Sequence, residues 1–241
     1  VSAAWWDGPL VGFDLETTGP DPDEARIVTA CVVVVGDDGS TAPMTWLADP
    51  GVDIPEGATA VHGVTTGHAR THGFPARNVV AEVIAALDSA IKSGTPLVAF
   101  NAAYDFTVLD REARRYGVIP LTPAPVIDPF VLDKQADRYR RGKRTLTACA
   151  EHYGVQLDAA HTADADALAA VHIARAIPRA LIAAGKPTPP ADARVLHDGQ
   201  VHWRREQCES LQEWLRRDNP TVVVDGTWPV HPVPEYMEAT A

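Results

Sequence analysis

The 241-residue sequence predicts an α/β protein, a mixed sheet flanked by helices with a small extension at the C-terminal side. Three observations carry that prediction. Short β-branched runs separated by Gly/Pro/Asp turns fill the first fifty residues. Helical and strand-like patterns then alternate from Asn78 to about Ala184, the signature of parallel strands joined by crossovers. A break containing Pro187, Pro189 and Pro190 separates this body from the C-terminal residues, so the division expected is 1–186 and 187–241.

Taken in order, residues 1–10, with Trp5 and Trp6, read as an extended lead-in covering the sheet edge. Val11 to Leu15, Ile27 to Val35 and Met44 to Leu47 read as an antiparallel meander, punctuated by Gly19-Pro20-Asp21-Pro22-Asp23 and Gly36-Asp37-Asp38-Gly39. Ile54 to Thr71 reads as a short helix broken by Gly63. Val79, Val80, Val83, Ile84 and Leu87 recur at helical spacing, which predicts an amphipathic helix over Asn78 to Lys92. Pro96 to Phe100 is a compact apolar strand, and Ala103 to Tyr116 a helix stopped by Gly117. Pro125 to Asp128 reads as a last buried strand whose final acid caps the next helix.

Thr145 to Tyr153 is a short helix ended by Gly154. An alanine-rich helix then runs from about His161 to Ala184, with Asp164 suited to satisfying its first turn. Past the prolines, Trp203, Gln207, Leu211, Trp214 and Leu215 predict an amphipathic helix, and Thr221 to Val224 a short strand. This extension is expected to pack on the body or on a partner.

Composition bounds the function classes. Hydrophobic content of 46% and charged content of 22% are those of an ordinary globular protein, with no apolar run long enough for a membrane span. No charged-then-apolar leader opens the sequence. Three scattered cysteines, Cys31, Cys149 and Cys208, suit neither a disulfide framework nor zinc, so a cytoplasmic setting is expected. A formal net charge of −11 argues against holding long nucleic acid by bulk electrostatics, but not against an enzyme that meets a strand end. One dense basic run departs from that balance. Lys134, Arg138, Arg140, Arg141, Lys143 and Arg144 fall within eleven residues, which favours a phosphate-facing surface.

The chemistry begins at Val11–Gly19. On a strand, Asp14 and Glu16 project from one face while Phe13 and Leu15 enter the core. Two carboxylates so close repel unless a cation lies between them, and oxygen-only ligands suit Mg2+ or Mn2+. An isolated Asp-x-Glu is most often a solvated pair, so the assignment needs partners elsewhere.

The chain supplies those partners in order: Asp105 at one helix start, then His161 and Asp166 at another. Four acids and one histidine in this sequence resemble the DEDDh 3′-to-5′ exonucleases, the DnaQ-like family that includes proofreading epsilon subunits of bacterial replicative polymerases. Phe13-Asp14-Leu15-Glu16-Thr17-Thr18-Gly19, Asn101-Ala102-Ala103-Tyr104-Asp105 and His161-x-Ala-x-x-Asp166-Ala167 match its three motifs, and the resemblance covers about Leu10 to Ala176. Phe100 stands where the family often has a histidine.

The resemblance implies a ribonuclease H-like fold with a five-stranded mixed sheet. It also implies two divalent cations, Mg2+ or Mn2+, with Asp14 bridging, Glu16 and Asp166 on one ion and Asp105 reaching the other through water. His161 would take the proton of the attacking water, releasing nucleoside 5′-monophosphates. Backbone groups of Thr17 and Thr18, with Asn101, would hold the terminal nucleotide, and Val61, His62 and Tyr104 would pack its base or sugar. The expected partner is DNA with single-stranded or frayed 3′ ends, in proofreading or repair. RNA trimming is the alternative, a non-catalytic polymerase-associated subunit the less favoured one, and a DNA polymerase contact is compatible with the first.

Overall fold

The computed structural model describes residues 4–157 and 162–235. Its centre is β1 (Leu10–Thr17), which pairs antiparallel with β2 (Ile27–Val35); β2 pairs antiparallel with β3 (Thr41–Asp49). On the other side β1 runs parallel to β5 (Leu97–Val98), and β5 parallel to β6 (Val126–Ile127). Among the described residues the sheet has six strands rather than five: β4 (Phe74–Pro75) is added, giving the order β4-β3-β2-β1-β5-β6. The extra member is two residues lying parallel to the end of β3. A dipeptide containing proline has no strand periodicity to reveal it.

Alternation along β1 divides the two layers. Val11, Phe13 and Leu15 enter one core with α3 (Ala76–Lys92) and α4 (Ala103–Arg115), where the Phe13 and Phe106 rings lie 5.2 Å apart. Gly12, on the opposite face, meets α7 (Ala163–Ala183). A Cβ at Gly12 would come within 2.6 Å of the Ala167 carbonyl oxygen, so the missing side chain is what lets α7 lie against β1. The core of that second layer also takes in α5 (Pro129–Ala136) and α6 (Leu146–Tyr153).

The segment expected as one broken helix is two, α1 (Glu56–His62) and α2 (Thr66–His72), separated by Gly63 in the left-handed region at φ 77°. Trp5 and Trp6 are buried, and the Trp5 indole donates to the Pro190 carbonyl, tying the lead-in to the proline-rich segment.

After it, α8 (Ala193–Leu215) lies along the edge strand β6 and supplies what a further strand would have supplied. Val126 N–H donates to His197 Nδ1, Gln200 Nε2 donates to the Val126 carbonyl, and Asp128 N–H donates to Gln200 Oε1. An otherwise open edge is thereby closed by side chains. Thr221 to Val224, expected as a strand, is irregular. Its backbone groups are taken locally: Val222 N–H by the Asn219 carbonyl, the Val222 carbonyl by Arg216, and Val224 N–H by the Gln212 side chain. The chain then crosses α4, where fully buried Arg111 donates to the carbonyls of His231 and Pro232 while pairing with Asp110 and Asp23. Among the described residues, no helix is long and apolar enough to cross a membrane.

Candidate metal and nucleotide site

The site sits where three chain segments meet. From the middle and end of β1 come Asp14 and Glu16, on the same face as Gly12. From the first turn of α7 comes Asp166, one residue before the Ala167 carbonyl that touches Gly12. One carboxylate oxygen from each of Asp14, Glu16 and Asp166 lies within 4.8 Å of the others. The tight β1–α7 approach at Gly12 is therefore also what brings Asp166 to the pair on the strand.

Asp105 arrives from the other layer, and the reason is a hydrogen-bond debt. Strand β5 pairs with β1 only through Val11 and Gly12 before the Asn101 turn carries the chain away from β1. The Leu15 N–H beyond that point is met by Asp105 Oδ1, at 3.1 Å. Asp105 is 4% exposed and stands in the first turn of α4. The turn that delivers it contains Asn101 at φ 60°, a left-handed conformation that asparagine tolerates better than most residues. Asp128 holds this turn: its carboxylate accepts from Asn101 N–H and Ala102 N–H, and also from Phe130 N–H and the Trp228 indole. Sequence reasoning gave Asp128 only the capping role. Its grip on Asn101, 27 residues away, left no sequence signal.

The electrostatics are those of a crowded acidic centre. Burial, then the charges of Asp105, Asp166 and Glu16, pushes the Asp14 carboxyl well above its ordinary range. Burial, then Asp166, pushes Glu16 up to about 7. Asp105 is raised as well, burial outweighing the hydrogen bond from Leu15. Such a cluster gains from a positive charge, and its donors are all hard oxygens, so the residues present fit Mg2+ or Mn2+.

A cleft of about 550 Å3 opens beside Glu16, with His62, His68, Trp46, Phe74 and Asp164 along its walls. It falls within the range of small-ligand sites. His62 was anticipated there. Its Nδ1 accepts from Val64 N–H, and burial lowers its pKa. Trp46, His68 and Phe74 were not anticipated, because strand pairing and helix packing bring them together from three separate segments. Asp164 lies in the first turn of α7 as expected, behind Thr162 at the cap position, and reaches the cleft too.

The remaining anticipated residues are spread around this centre. The Tyr104 hydroxyl lies 2.5 Å from both Thr17 Oγ1 and the Gly19 carbonyl oxygen, bracing the end of β1. Thr18 is committed internally: its N–H donates to the Arg26 carbonyl and its hydroxyl accepts from Arg26 N–H. Val61 is 52% exposed on α1. His161 lies outside the described residues. Of the basic run, Arg140 and Arg144 both pair with buried Asp133 and so hold the loop rather than face a phosphate.

Comparison with known proteins agrees with this architecture. The RNase T family, described as exonuclease, matches residues 11–174. A DNA polymerase III subunit epsilon-like protein of Rhodobacter capsulatus is 33% identical over 165 residues, covering 66% of this chain and 22% of that protein. A PolC-type DNA polymerase III of Streptococcus suis is 28% identical over 163 residues, covering 67% and 10%. Among solved structures, E. coli exonuclease I in complex with a dT13 oligonucleotide superposes with a TM-score of 0.62 at 16% identity, over 74% of this chain and 42% of that one. Exonuclease I from Methylocaldum szegediense gives 0.59 at 17% identity, over 86% and 46%. The chain spans about a fifth and a tenth of those two curated relatives, and less than half of exonuclease I. With the family pattern matched from β1 into α7, the chain belongs to the RNase T exonuclease family.

Proposed function

We propose that the protein is a metal-dependent 3′-to-5′ exonuclease that releases nucleoside 5′-monophosphates from single-stranded or frayed DNA ends. The observation that carries this reading is the convergence of Asp14, Glu16 and Asp166 within 4.8 Å, with Asp105 buried beside them. Burial and mutual repulsion raise these acids, and a cation held between them would relieve both. Asp14, Glu16 and Asp166 would hold the cation, and Asp105 would complete the acidic centre from the α4 side. When bound, Mg2+ or Mn2+ supplies charge stabilisation for a phosphodiester and acidifies a water.

The protein's own groups do the rest. The cleft beside Glu16 seats the terminal nucleotide, with His62 on its wall and Tyr104 fixing the end of β1. An aromatic and histidine wall accepts any base by its face, so weak sequence preference is expected. His161, from its place in the motif that resembles the DEDDh family, is assigned the proton of the attacking water, a role that suits an imidazole with a reference pKa of ~6.5. The epsilon-like and PolC-type relatives support a place in DNA proofreading or repair.

A time course with 5′-labelled DNA carrying a mismatched 3′ end, beside RNA of the same length, tests the polarity and the substrate. The expected result is a ladder shortening from the 3′ end with Mn2+ or Mg2+ and none with EDTA, DNA being the faster substrate. Faster RNA shortening would move the assignment to RNA trimming. No shortening of either would refute the nuclease.

A further inference from the structure

Away from the acidic centre, the C-terminal part of α5, the loop after it and α8 enclose a groove of about 330 Å3. Its walls carry Lys134, Arg138, Tyr139, Leu211 and Trp214. Tyr139 is 86% exposed and Trp214 55% exposed, large aromatic faces that the fold leaves unused. Arg138, Arg141 and Lys143 on the same loop are exposed, whereas Arg140 and Arg144 anchor the loop to Asp133. In a chain of formal net charge −11, Lys134, Arg138, Arg141 and Lys143 give this face a local excess of cations. A line of side-chain contacts runs from Lys134 on the groove wall to the Asn101 turn. Phe100, which precedes the Asn101 turn, meets Phe130 edge-on at 5.8 Å, and Lys134 Nζ stands 4.1 Å over the Phe130 ring.

We propose that this groove binds single-stranded nucleic acid, holding the part of the substrate strand upstream of the 3′ end being degraded. The chemistry selects that occupant. Exposed aromatic faces flanked by Lys and Arg suit unstacked bases on a phosphate backbone. A duplex has no free base faces to offer. An acidic peptide would use the cations and leave the aromatics idle, and an apolar peptide would do the reverse. Glu206 also lines the groove and opposes a polyanion, so its removal should strengthen binding. The proposal rests on the exonuclease reading for its substrate, but its test is binding without turnover.

The test uses the full chain in EDTA, with 5′-fluorescein-labelled (dT)20 and (dT)4 followed by anisotropy at several salt concentrations. Wild type is expected to hold (dT)20 at least about tenfold more tightly than (dT)4. Trp214→Ala should cost about tenfold on (dT)20 and nothing on (dT)4, with Trp214→Phe restoring most of the loss. Arg138→Glu should lower the salt dependence of (dT)20 binding, and Glu206→Gln should tighten it. With Mn2+, Trp214→Ala should cleave (dT)4 at the wild-type rate. Binding of (dT)20 that is indifferent to Trp214 and Arg138 overturns the proposal, as does a poly-glutamate peptide that alone depends on those residues. If (dT)4 is never cleaved while Trp214-dependent binding persists, the exonuclease reading falls and the groove stands; cleavage without that dependence removes the groove alone.

Discussion

Asp128 shows how much one residue can do without touching a substrate. It caps α5, holds the strained Asn101 turn through two backbone N–H groups, and takes the Trp228 indole from the C-terminal segment. Replacing it by Ala would orphan several buried donors at once. At about 1–3 kcal/mol for an unsatisfied buried group, Asp128→Ala is expected to lower the thermal midpoint clearly. Because the Asn101 turn delivers Asp105, turnover should fall as well, and Asp128→Asn, which keeps one acceptor, should lie between. Denaturation and steady-state rates on the three proteins check this; equal rates would show that the turn needs no clamp. At His161 the expectation is different. His161→Ala should slow turnover about 10²–10⁴-fold while cation binding, followed calorimetrically, is unchanged. Lost cation binding would make His161 a ligand rather than a base.

At the level of elements, the acidic centre depends on how closely α7 lies against β1. Gly12 sets that distance, since an added methyl would meet the Ala167 carbonyl at 2.6 Å and the Val33 side chain at 2.9 Å. Gly12→Ala is expected to destabilise by about 1–3 kcal/mol and to impair cation binding by displacing Asp166, which measured unfolding and calorimetry would show together. A variant as stable and as avid as wild type would mean that α7 adjusts without moving the cluster.

The elements also show what the sequence could and could not reveal. The meander, α3, α4, α6 and α7 were legible because each is long enough to carry a hydrophobic period and ends in a recognisable stop, such as Gly117 or Gly154. Asp14, Glu16, Asp105 and Asp166 were legible as residues because their order and spacing match a motif set. Their meeting was not, since it depends on the short β5 pairing and on the Gly12 contact. β4 escaped because two residues have no period, and Thr221 to Val224 misled because β-branched residues can satisfy their backbone through Asn219 and Gln212 instead of a strand. Glu112 and Arg111 are buried on α4, contrary to the usual exposure of charged residues, because each is surrounded by partners from α4 itself and from distant turns.

The molecule as a whole should register the acidic centre in its stability. Glu16 has a folded-state pKa of about 7, above the ordinary carboxylate value, so the fold favours its protonated form. That contribution is fully present below the unfolded pKa of ~4.3 and is lost as pH rises through about 7. In EDTA the thermal midpoint is therefore expected to fall from pH 5 to pH 8, less so in Glu16→Gln. A bound cation stabilises only the folded state and needs the ionised ligands. Mn2+ should accordingly raise the midpoint at pH 8 and do little at pH 5. A flat profile that Mn2+ leaves unchanged would contradict a cation site at Asp14, Glu16 and Asp166.

The most direct measurement compares wild type and Asp14→Asn on a 5′-labelled single-stranded DNA with Mn2+. Asparagine keeps the shape of Asp14 but removes the charge at the centre of the cluster. Wild type should shorten the strand from its 3′ end, and Asp14→Asn, folded and at least as stable in EDTA because it relieves the repulsion in the cluster, should leave it intact. Shortening by both proteins at the same rate would contradict the account at its centre, because the reaction would then not depend on the acidic cluster between β1 and α7.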